Sequence, residues 1–125
     1  MVEKIKTDHV PAALGPYTQA IRAGKTLYIS GLLGIDPESG ELAGKTVVEQ
    51  SEQISRNVDA ILKAAGYSSK DVVKTVVYLS DLSDFKAFNE SYAEYFTSEP
   101  ARTCVEASHL LRNAKVVEDV IAYKD

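Results

Sequence analysis

Between Thr46 and Gly66, apolar residues recur at the spacing of an amphipathic helix. Thr46 and Glu49 have the S/T-x-x-E spacing of a capping box, which closes the first turn of a helix. Gly66 suits the left-handed position that commonly follows the last turn. The apolar positions, spaced i, i+4, i+7, i+8 and i+11, are Ile54, Val58, Ile61, Leu62 and Ala65. This pattern predicts a helix with one buried face and one solvated face.

A second helical pattern begins near Ser83, and its buried face is aromatic. The aromatic positions, spaced i, i+3, i+7 and i+11, are Phe85, Phe88, Tyr92 and Phe96. Asn89 lies at i+4 on the same face, where an amide without a hydrogen-bond partner would cost about 1 to 3 kcal/mol. We therefore expect Asn89 either to pin the neighbouring loop or to contact a ligand.

Runs of β-branched and alternating residues predict strands before, between and after these helices. The predicted strands are 18–21 and 26–30, which form a hairpin, and then 71–79, 103–107 and 116–122. Gly24 supplies the positive φ of the hairpin turn, while Ser30-Gly31 marks either a bulge or a close approach of a ligand or another backbone. The order βββαβαββ, in which one of the first three strands is not assigned to residues, predicts an α+β fold with both helices on one face of a mixed sheet.

Composition and charge narrow the class of protein. A chain of 125 residues with 45% hydrophobic content predicts one globular domain over residues 1–125. The net charge of −4 argues against nucleic-acid binding through a basic face. Cys104, the one cysteine, cannot form an internal disulfide, and no apolar run suits a signal peptide or membrane span, so we expect a cytoplasmic protein. His9 and His109 lack metal-ligand spacing, so no metal or cofactor is expected.

The stretch from Pro100 to Val105 carries the chemistry that stands out most, because Arg102 lies where the aromatic helix leads into a strand. A guanidinium is always charged at physiological pH and offers a planar fork of donors that matches a carboxylate. Arg102 is therefore either a carboxylate-binding residue or one half of a surface ion pair. Tyr17, which follows Gly15-Pro16 in a loop, either packs at the edge of the core or belongs to the same site.

Taken together, these motifs resemble the reactive-intermediate deaminase family, also called RidA/YjgF and known as L-PSP endoribonuclease. The resemblance spans nearly the whole chain. It implies a chorismate-mutase-like fold and a homotrimeric barrel with three clefts between subunits. The matching motifs are Ala13-Leu14-Gly15-Pro16-Tyr17-Thr18-Gln19-Ala20, Ser30-Gly31 with Asp36-Pro37 and Gly40, Ala64-Ala65-Gly66, Asp71-Val72-Val73-Lys74-Thr75, Asp84-Phe85 with Asn89, Tyr92 and Phe96, and Pro100-Ala101-Arg102 with Cys104-Val105.

The resemblance implies hydrolysis of enamine and imine intermediates, such as 2-aminoacrylate or 2-iminobutanoate, to 2-oxo acids and ammonia. It assigns carboxylate binding and catalysis to Arg102 and a site role to Tyr17. The free imine is already electrophilic, so the reaction needs position and polarity more than a metal, a cofactor or a covalent nucleophile. The further substrate-binding candidates are Ser30, Gly31, Asn89 and Cys104.

One departure from the family pattern affects the proton-transfer step. The glutamate that the family places on the last strand falls on Val117 in this chain. Glu118 is adjacent, but neighbouring residues of a regular strand point to opposite faces, so Glu118 replaces the missing acid only if a bulge turns it. Val117 keeps a second interpretation open, a non-catalytic trimer that binds small carboxylates or regulates. A ribonuclease ranks third, because the chain is acidic and has only two histidines.

Overall fold

A computed structural model describes residues 2–125, and its elements follow the predicted order βββαβαββ. The six strands form one sheet in the order β1-β2-β3-β6-β4-β5. Strands β4 and β5 are parallel, and all other neighbours are antiparallel. The elements are β1 (Val2–Ile5), β2 (Ala20–Ala23), β3 (Thr26–Leu33), α1 (Val47–Ala65), β4 (Val72–Leu79), α2 (Phe85–Tyr95), β5 (Ala101–Glu106) and β6 (Val116–Tyr123).

Both helices cover the same face of the sheet, as predicted for an α+β fold. The core lies between this covered face and the two helices, and α1 and α2 also pack on each other. The opposite face of the sheet, called the outer face below, has no helix over it. The largest core side chains with almost no exposed surface are Phe88, Phe96, Leu27, Ile54, Ile61, Leu62 and Leu79.

The limits of α1 agree with the predicted signals. The Thr46 hydroxyl accepts a hydrogen bond from the Glu49 amide at 3.1 Å, and the Glu49 carboxylate accepts one from the Thr46 amide at 3.3 Å, so the capping box is complete. At the other end Gly66 has a φ of 84°, and its amide donates to the carbonyls of Leu62 and Lys63.

Several boundaries in the structure differ from the predicted ones. The first hairpin strand is Ala20–Ala23 and not 18–21, because the Gln19 side chain bonds the loop at Thr7 and Pro11. Helix α2 begins at Phe85, since residues 82–84 form a 3₁₀ turn that the Asp81 carboxylate caps. Strand β5 begins at Ala101 and not at 103, because its parallel pairing with β4 starts directly after Pro100.

The strand of the predicted order that was not assigned to residues is β1. It comprises Val2–Ile5 and pairs with β2. Strand β3 continues to Leu33, beyond its predicted end at residue 30, and contains the predicted bulge. Ile29 pairs with Val120 and Leu32 with Glu118, so Ser30 and Gly31 together face the single residue Asp119. The bulge therefore belongs to β3, and β6 keeps a regular alternation of buried and less buried residues.

Candidate functional site

The bulge of β3 borders a pocket of about 430 Å³ on the outer face of the sheet. Four of the residues singled out in the sequence meet there, namely Tyr17, Ser30, Gly31 and Val117. The remaining lining residues are Leu33, Tyr78, His109, Leu110 and Leu111. The pocket is therefore mostly apolar, with a few polar groups at its border.

Hydrogen bonds hold Tyr17 and its loop beside the bulge. The Tyr17 hydroxyl accepts a hydrogen bond from the Leu14 amide at 3.1 Å, which leaves its own proton free to be donated. The Ser30 hydroxyl donates to the Thr18 carbonyl at 2.5 Å, and the Ser30 amide donates to the Gln19 carbonyl at 2.9 Å. The loop that carries Tyr17 is thus attached to β3 at the residue where the strand bulges.

A side chain on Gly31 would crowd its neighbours in this arrangement. A Cβ atom on Gly31 would lie 3.0 Å from Asp119 Oδ1 and 3.3 Å from Val117 Cγ1. Glycine therefore lets the backbone of the bulge approach β6 closely, and it leaves the Gly31 main chain accessible from the pocket.

Arg102 lies on the other face of the sheet, against α2. Its Nη1 donates to Asn89 Oδ1 at 2.8 Å, and the guanidinium carbon lies 4.9 Å from the centroid of the Tyr92 ring. The rings of Phe85 and Phe88 are also close, at 5.5 and 5.9 Å. Such contacts hold a guanidinium without neutralising it.

No carboxylate among residues 2–125 lies within ion-pair distance of Arg102. A surface ion pair, the simpler interpretation of this arginine, is therefore absent from the structure. Asn89 contacts the guanidinium itself and does not pin the loop before β5. The partly buried cation is aimed by an amide and three aromatic rings, and its other donors remain available to an anion.

Cys104 lies two residues beyond Arg102 on the same face of β5. Burial raises the pKa of the Cys104 thiol, and the nearby Arg102 charge opposes that shift. The thiol is thus held in its protonated form, which is a poor nucleophile. Any contribution of Cys104 to binding would then come through its backbone or its bulk.

The structure separates Glu118 from the pocket. Thr75, which pairs with Arg102, and Tyr78, which pairs with Val117, are three positions apart on β4, so Arg102 and Val117 face opposite sides of the sheet. Glu118 faces the helices and is 0% exposed. The bulge that would have turned it toward Val117 lies in β3 instead, so Glu118 does not replace the missing acid.

Glu118 has an unusual environment for a carboxyl group. Neither of its oxygens has a hydrogen-bond partner within residues 2–125. Burial raises its pKa to about 8, and the Arg102 charge only partly offsets this effect. The side chain is therefore predominantly protonated at neutral pH.

Residues in or beside the pocket that sequence reasoning missed come from three places. The alternation along β4 could have placed Tyr78 on the outer face, and the structure pairs it with Val117. Asp119 does not line the pocket, but it lies beside Gly31 and could have been placed in the same way, two residues beyond Val117 on one face of β6. His109 and Leu110 are on a loop that reaches the pocket only in the folded chain, and no sequence signal marks them.

Across the described part of the chain, no group of three or more His, Cys, Asp or Glu side chains is arranged to hold a metal ion. In the same residues, no helix has the length and apolar character needed to cross a membrane.

Comparison with known proteins agrees with the fold and the motifs. Residues 7–124 match the family model described as Endoribonuclease L-PSP. A RutC family protein of Pyrococcus horikoshii is 48% identical over 126 residues, covering 100% of both chains. A 2-iminobutanoate/2-iminopropanoate deaminase of Mus musculus is 46% identical and covers 94% of this chain and 88% of its own length.

A solved structure has a closely similar fold. The crystal structure of E. coli TdcF with bound serine superposes with a TM-score of 0.94 at 34% identity, covering 98% of this chain and 99% of the other. The chain therefore belongs to the Endoribonuclease L-PSP family, which is also the RidA/YjgF family.

Proposed function

We propose that this protein hydrolyses small 2-imino acids and their enamine tautomers, such as 2-iminobutanoate and 2-aminoacrylate, to 2-oxo acids and ammonia. The observation that carries the proposal is Arg102, a partly buried guanidinium with aromatic and amide contacts but no carboxylate partner among the described residues. The name of the mouse relative states this activity, and the E. coli structure holds serine, which has a carboxylate of its own.

The chemistry that such a site must supply is modest. The Arg102 fork would bind the substrate carboxylate through two parallel hydrogen bonds. The imine would then lie in the apolar pocket, close to the Tyr17 hydroxyl and the Gly31 main chain. Holding an electrophilic imine and a water molecule in a reactive geometry accounts for much of the acceleration that hydrolysis needs.

Arg102 and the pocket must come from different copies of the chain in this proposal. Three strand spacings separate β3 from β5, a distance of about 14 Å at about 4.8 Å per strand, and the two groups lie on opposite faces of the sheet. Tyr28 and Val105 on the uncovered outer face are 49% and 42% exposed. We propose a homotrimer that covers this face and places Arg102 of one copy at the pocket of the next.

Val117 favours a second candidate function. An apolar residue lines the pocket where the family pattern has a carboxylate, and Glu118 points away from it. A trimer that binds 2-oxo or 2-imino carboxylates without rapid turnover would use Arg102 and the pocket but need no acid. Binding and turnover measurements separate the two functions.

The experiment supplies 2-iminobutanoate from a threonine dehydratase and follows the release of 2-oxobutanoate with and without this protein. We expect faster release with the wild type, and Arg102→Ala should abolish the acceleration. Arg102→Lys should also lose at least about tenfold, because an ammonium keeps the charge but loses the bidentate geometry. Arg56→Ala, which removes an exposed guanidinium on α1, is the matched control and should behave as the wild type.

Calorimetric titration with 2-oxobutanoate completes the test. Binding that depends on Arg102 without any acceleration of hydrolysis would support the carboxylate-binding protein and reject the deaminase. Unaltered binding in Arg102→Ala would reject both functions.

A further inference from the structure

Glu118 and Arg102 lie on the same face of the sheet, in neighbouring rows of side chains. Glu118 of β6 pairs with Val77 of β4, and Val77 pairs in turn with Cys104 of β5, so these three residues form one row. Arg102 belongs to the next row, because it pairs with Thr75. Two strand spacings of about 4.8 Å and one step of about 6.6 Å along the strand place the Cα atoms of Glu118 and Arg102 about 12 Å apart.

Tyr92 of α2 is within electrostatic reach of both residues. The Tyr92 and Thr75 hydroxyls lie 2.7 Å apart in a buried hydrogen bond, and the guanidinium carbon of Arg102 lies 4.9 Å from the Tyr92 ring centroid. Burial raises the pKa of Tyr92 and the Thr75 hydrogen bond opposes this shift, while the charges of Glu118 and Arg102 act on it in opposite directions. Charges in such a buried setting are screened much less than charges on the surface.

Arg102 supplies the positive charge that acts on Glu118. Burial raises the pKa of Glu118, and the Arg102 charge is the one opposing cause. The buried residues of α1 include no titratable side chain, and β3 places Leu32 opposite Glu118. The neighbours of Glu118 on this face of β6 are Val116 and Val120, which are both apolar and buried.

Two other titratable side chains face Glu118, namely Tyr92 from α2 and Cys104 from β5. Burial raises the pKa of Cys104 above its ordinary value of 9.0 and that of Tyr92 above 10.0, so both are neutral below about pH 9. The pKa of Glu118 is about 8, so this carboxyl group loses its proton before either of them. The charge of this cluster therefore changes through Glu118 as the pH rises past neutrality.

We propose that Glu118 competes with a bound anion for the charge of Arg102, so that an ionised Glu118 weakens carboxylate binding at the proposed site. The inference rests on the proposed function, because it names how that same site is regulated. Both side chains belong to one copy of the chain, so the coupling between them acts within each subunit.

The direction of the effect follows from thermodynamic linkage. In the free protein the Arg102 charge lowers the pKa of Glu118 against the larger effect of burial. A carboxylate bound to Arg102 cancels part of that charge, so it should raise the pKa of Glu118 further. By reciprocity, a Glu118 that has lost its proton weakens binding by the same factor. The affinity should therefore be highest well below pH 8 and should fall as the pH rises through about 8.

The first test is calorimetric titration with 2-oxobutanoate at pH 7 and pH 9. We expect the wild-type affinity to fall about fivefold or more between these values, because couplings between sites are typically 5- to 150-fold. Glu118→Gln and Glu118→Ile remove the titrating group, so their affinities should be the same at both values. Glu94→Gln removes an exposed carboxylate from α2 and should keep the wild-type dependence. Circular dichroism at each pH establishes that every variant is folded.

Proton uptake on binding gives a second readout, which a purely structural role of Glu118 would not produce. At about pH 8.5 the wild type should take up a fraction of a proton for each ligand bound, because the ligand raises the pKa of Glu118. Binding enthalpies measured in two buffers of different ionisation enthalpy give this fraction. The fraction should be zero in Glu118→Gln.

The coupling can also be measured without a ligand. The carboxyl carbon of Glu118 is titrated by ¹³C NMR, with Glu118→Gln to assign the signal. Arg102→Ala should move the titration midpoint upward, because it removes the positive charge that favours the ionised form. An unmoved midpoint would show that the two side chains do not interact and would overturn the inference.

The outcomes separate this inference from the function on which it rests. Equal wild-type affinities at pH 7 and pH 9 would overturn the inference and leave carboxylate binding standing. No binding at pH 7, where Glu118 is mostly neutral, would overturn both. A pH dependence that persists in Glu118→Gln would also overturn the inference, and its loss in Cys104→Ser would assign it to the thiol.

Discussion

At the scale of single residues, the site depends on two unusual local environments. Arg102 has no counter-ion within ion-pair distance among residues 2–125, because aromatic rings and an amide, and not a carboxylate, hold it. Gly31 brings the bulge of β3 close to the β6 side chains, at a distance that would crowd a methyl group. A guanidinium without a counter-ion and a glycine that lets two strands approach closely are both features of ligand-binding sites.

Gly31→Ala tests the second environment. The added Cβ would press on Asp119 and Val117, and overpacking of this kind costs about 1 to 3 kcal/mol. We expect the affinity for 2-oxobutanoate, measured by calorimetry, to fall about tenfold or more. The double variant Gly31→Ala/Val117→Ala removes the 3.3 Å contact and should recover part of that affinity. Equal affinities in wild type and Gly31→Ala would mean that the ligand does not approach the bulge.

At the scale of elements, the two faces of β6 carry different chemistry. Its alternation sends Val117 and Asp119 to the outer face and Glu118 into the core. A buried carboxyl group without hydrogen bonds is tolerated only when it is neutral. The neighbours of Glu118 on this face, Val116 and Val120, are apolar, so the core position of Glu118 is one that an apolar side chain would fill.

Glu118 should make stability depend on pH. Its pKa is about 8 in the folded chain against an ordinary value of 4.5, so between these values the folded state holds a proton that the unfolded state has lost. The free energy of unfolding should therefore fall as pH rises through this window, by at most about 1.4 kcal/mol per pH unit. Below the window the effect vanishes, and above it the loss is complete.

Urea denaturation between pH 5 and pH 9 measures this dependence. Glu118→Ile and Glu118→Gln remove the titrating group, so the slope seen in the wild type should be absent from both. Glu118→Ile should also be the more stable variant, because it leaves no buried polar atoms unsatisfied. Parallel curves for the wild type and Glu118→Ile would show that Glu118 is not the cause.

At the scale of the whole molecule, the candidate site is divided between the two faces of the sheet. The pocket opens on the outer face near the middle of the sheet, whereas Arg102 projects from the edge strand β5 on the covered face. Strand β5 has one unpaired edge, and the outer face carries exposed apolar side chains. The proposed trimer would cover both and would join the two halves of the site.

Mixing two inactive variants tests this division. Arg102→Ala and Tyr17→Ala each damage a different half, so a mixed trimer contains one cleft with both halves intact. Random reassembly of a 1:1 mixture should restore about a quarter of wild-type activity, since three quarters of the trimers are mixed and each has one intact cleft of three.

The mass of the assembled particles, measured by mass photometry, should be three times the chain mass of 13.6 kDa. Each variant reassembled alone serves as the control and should remain inactive. Particles of one chain mass, or no recovery of activity in mixed trimers, would contradict a shared site.

Much of the fold of this protein could be predicted from the sequence alone, because the signals are local. The capping box at Thr46, the left-handed Gly66, the buried strand β4 and the aromatic face of α2 each depend on residues within a few turns of one another. The bulge at Ser30-Gly31 and the family membership also followed, since each rests on a continuous motif or on several motifs in order.

The tertiary structure decided what depends on distant pairing. Insertion of β6 between β3 and β4 determines that Val117 lines the pocket while Glu118 enters the core, and alternation by itself does not say which face the helices cover. The parallel pairing of β4 with β5 determines that Arg102 meets Asn89 and Tyr92. Such pairings join residues far apart in the chain and are selected by the burial of the whole sheet, so no short stretch of sequence contains them.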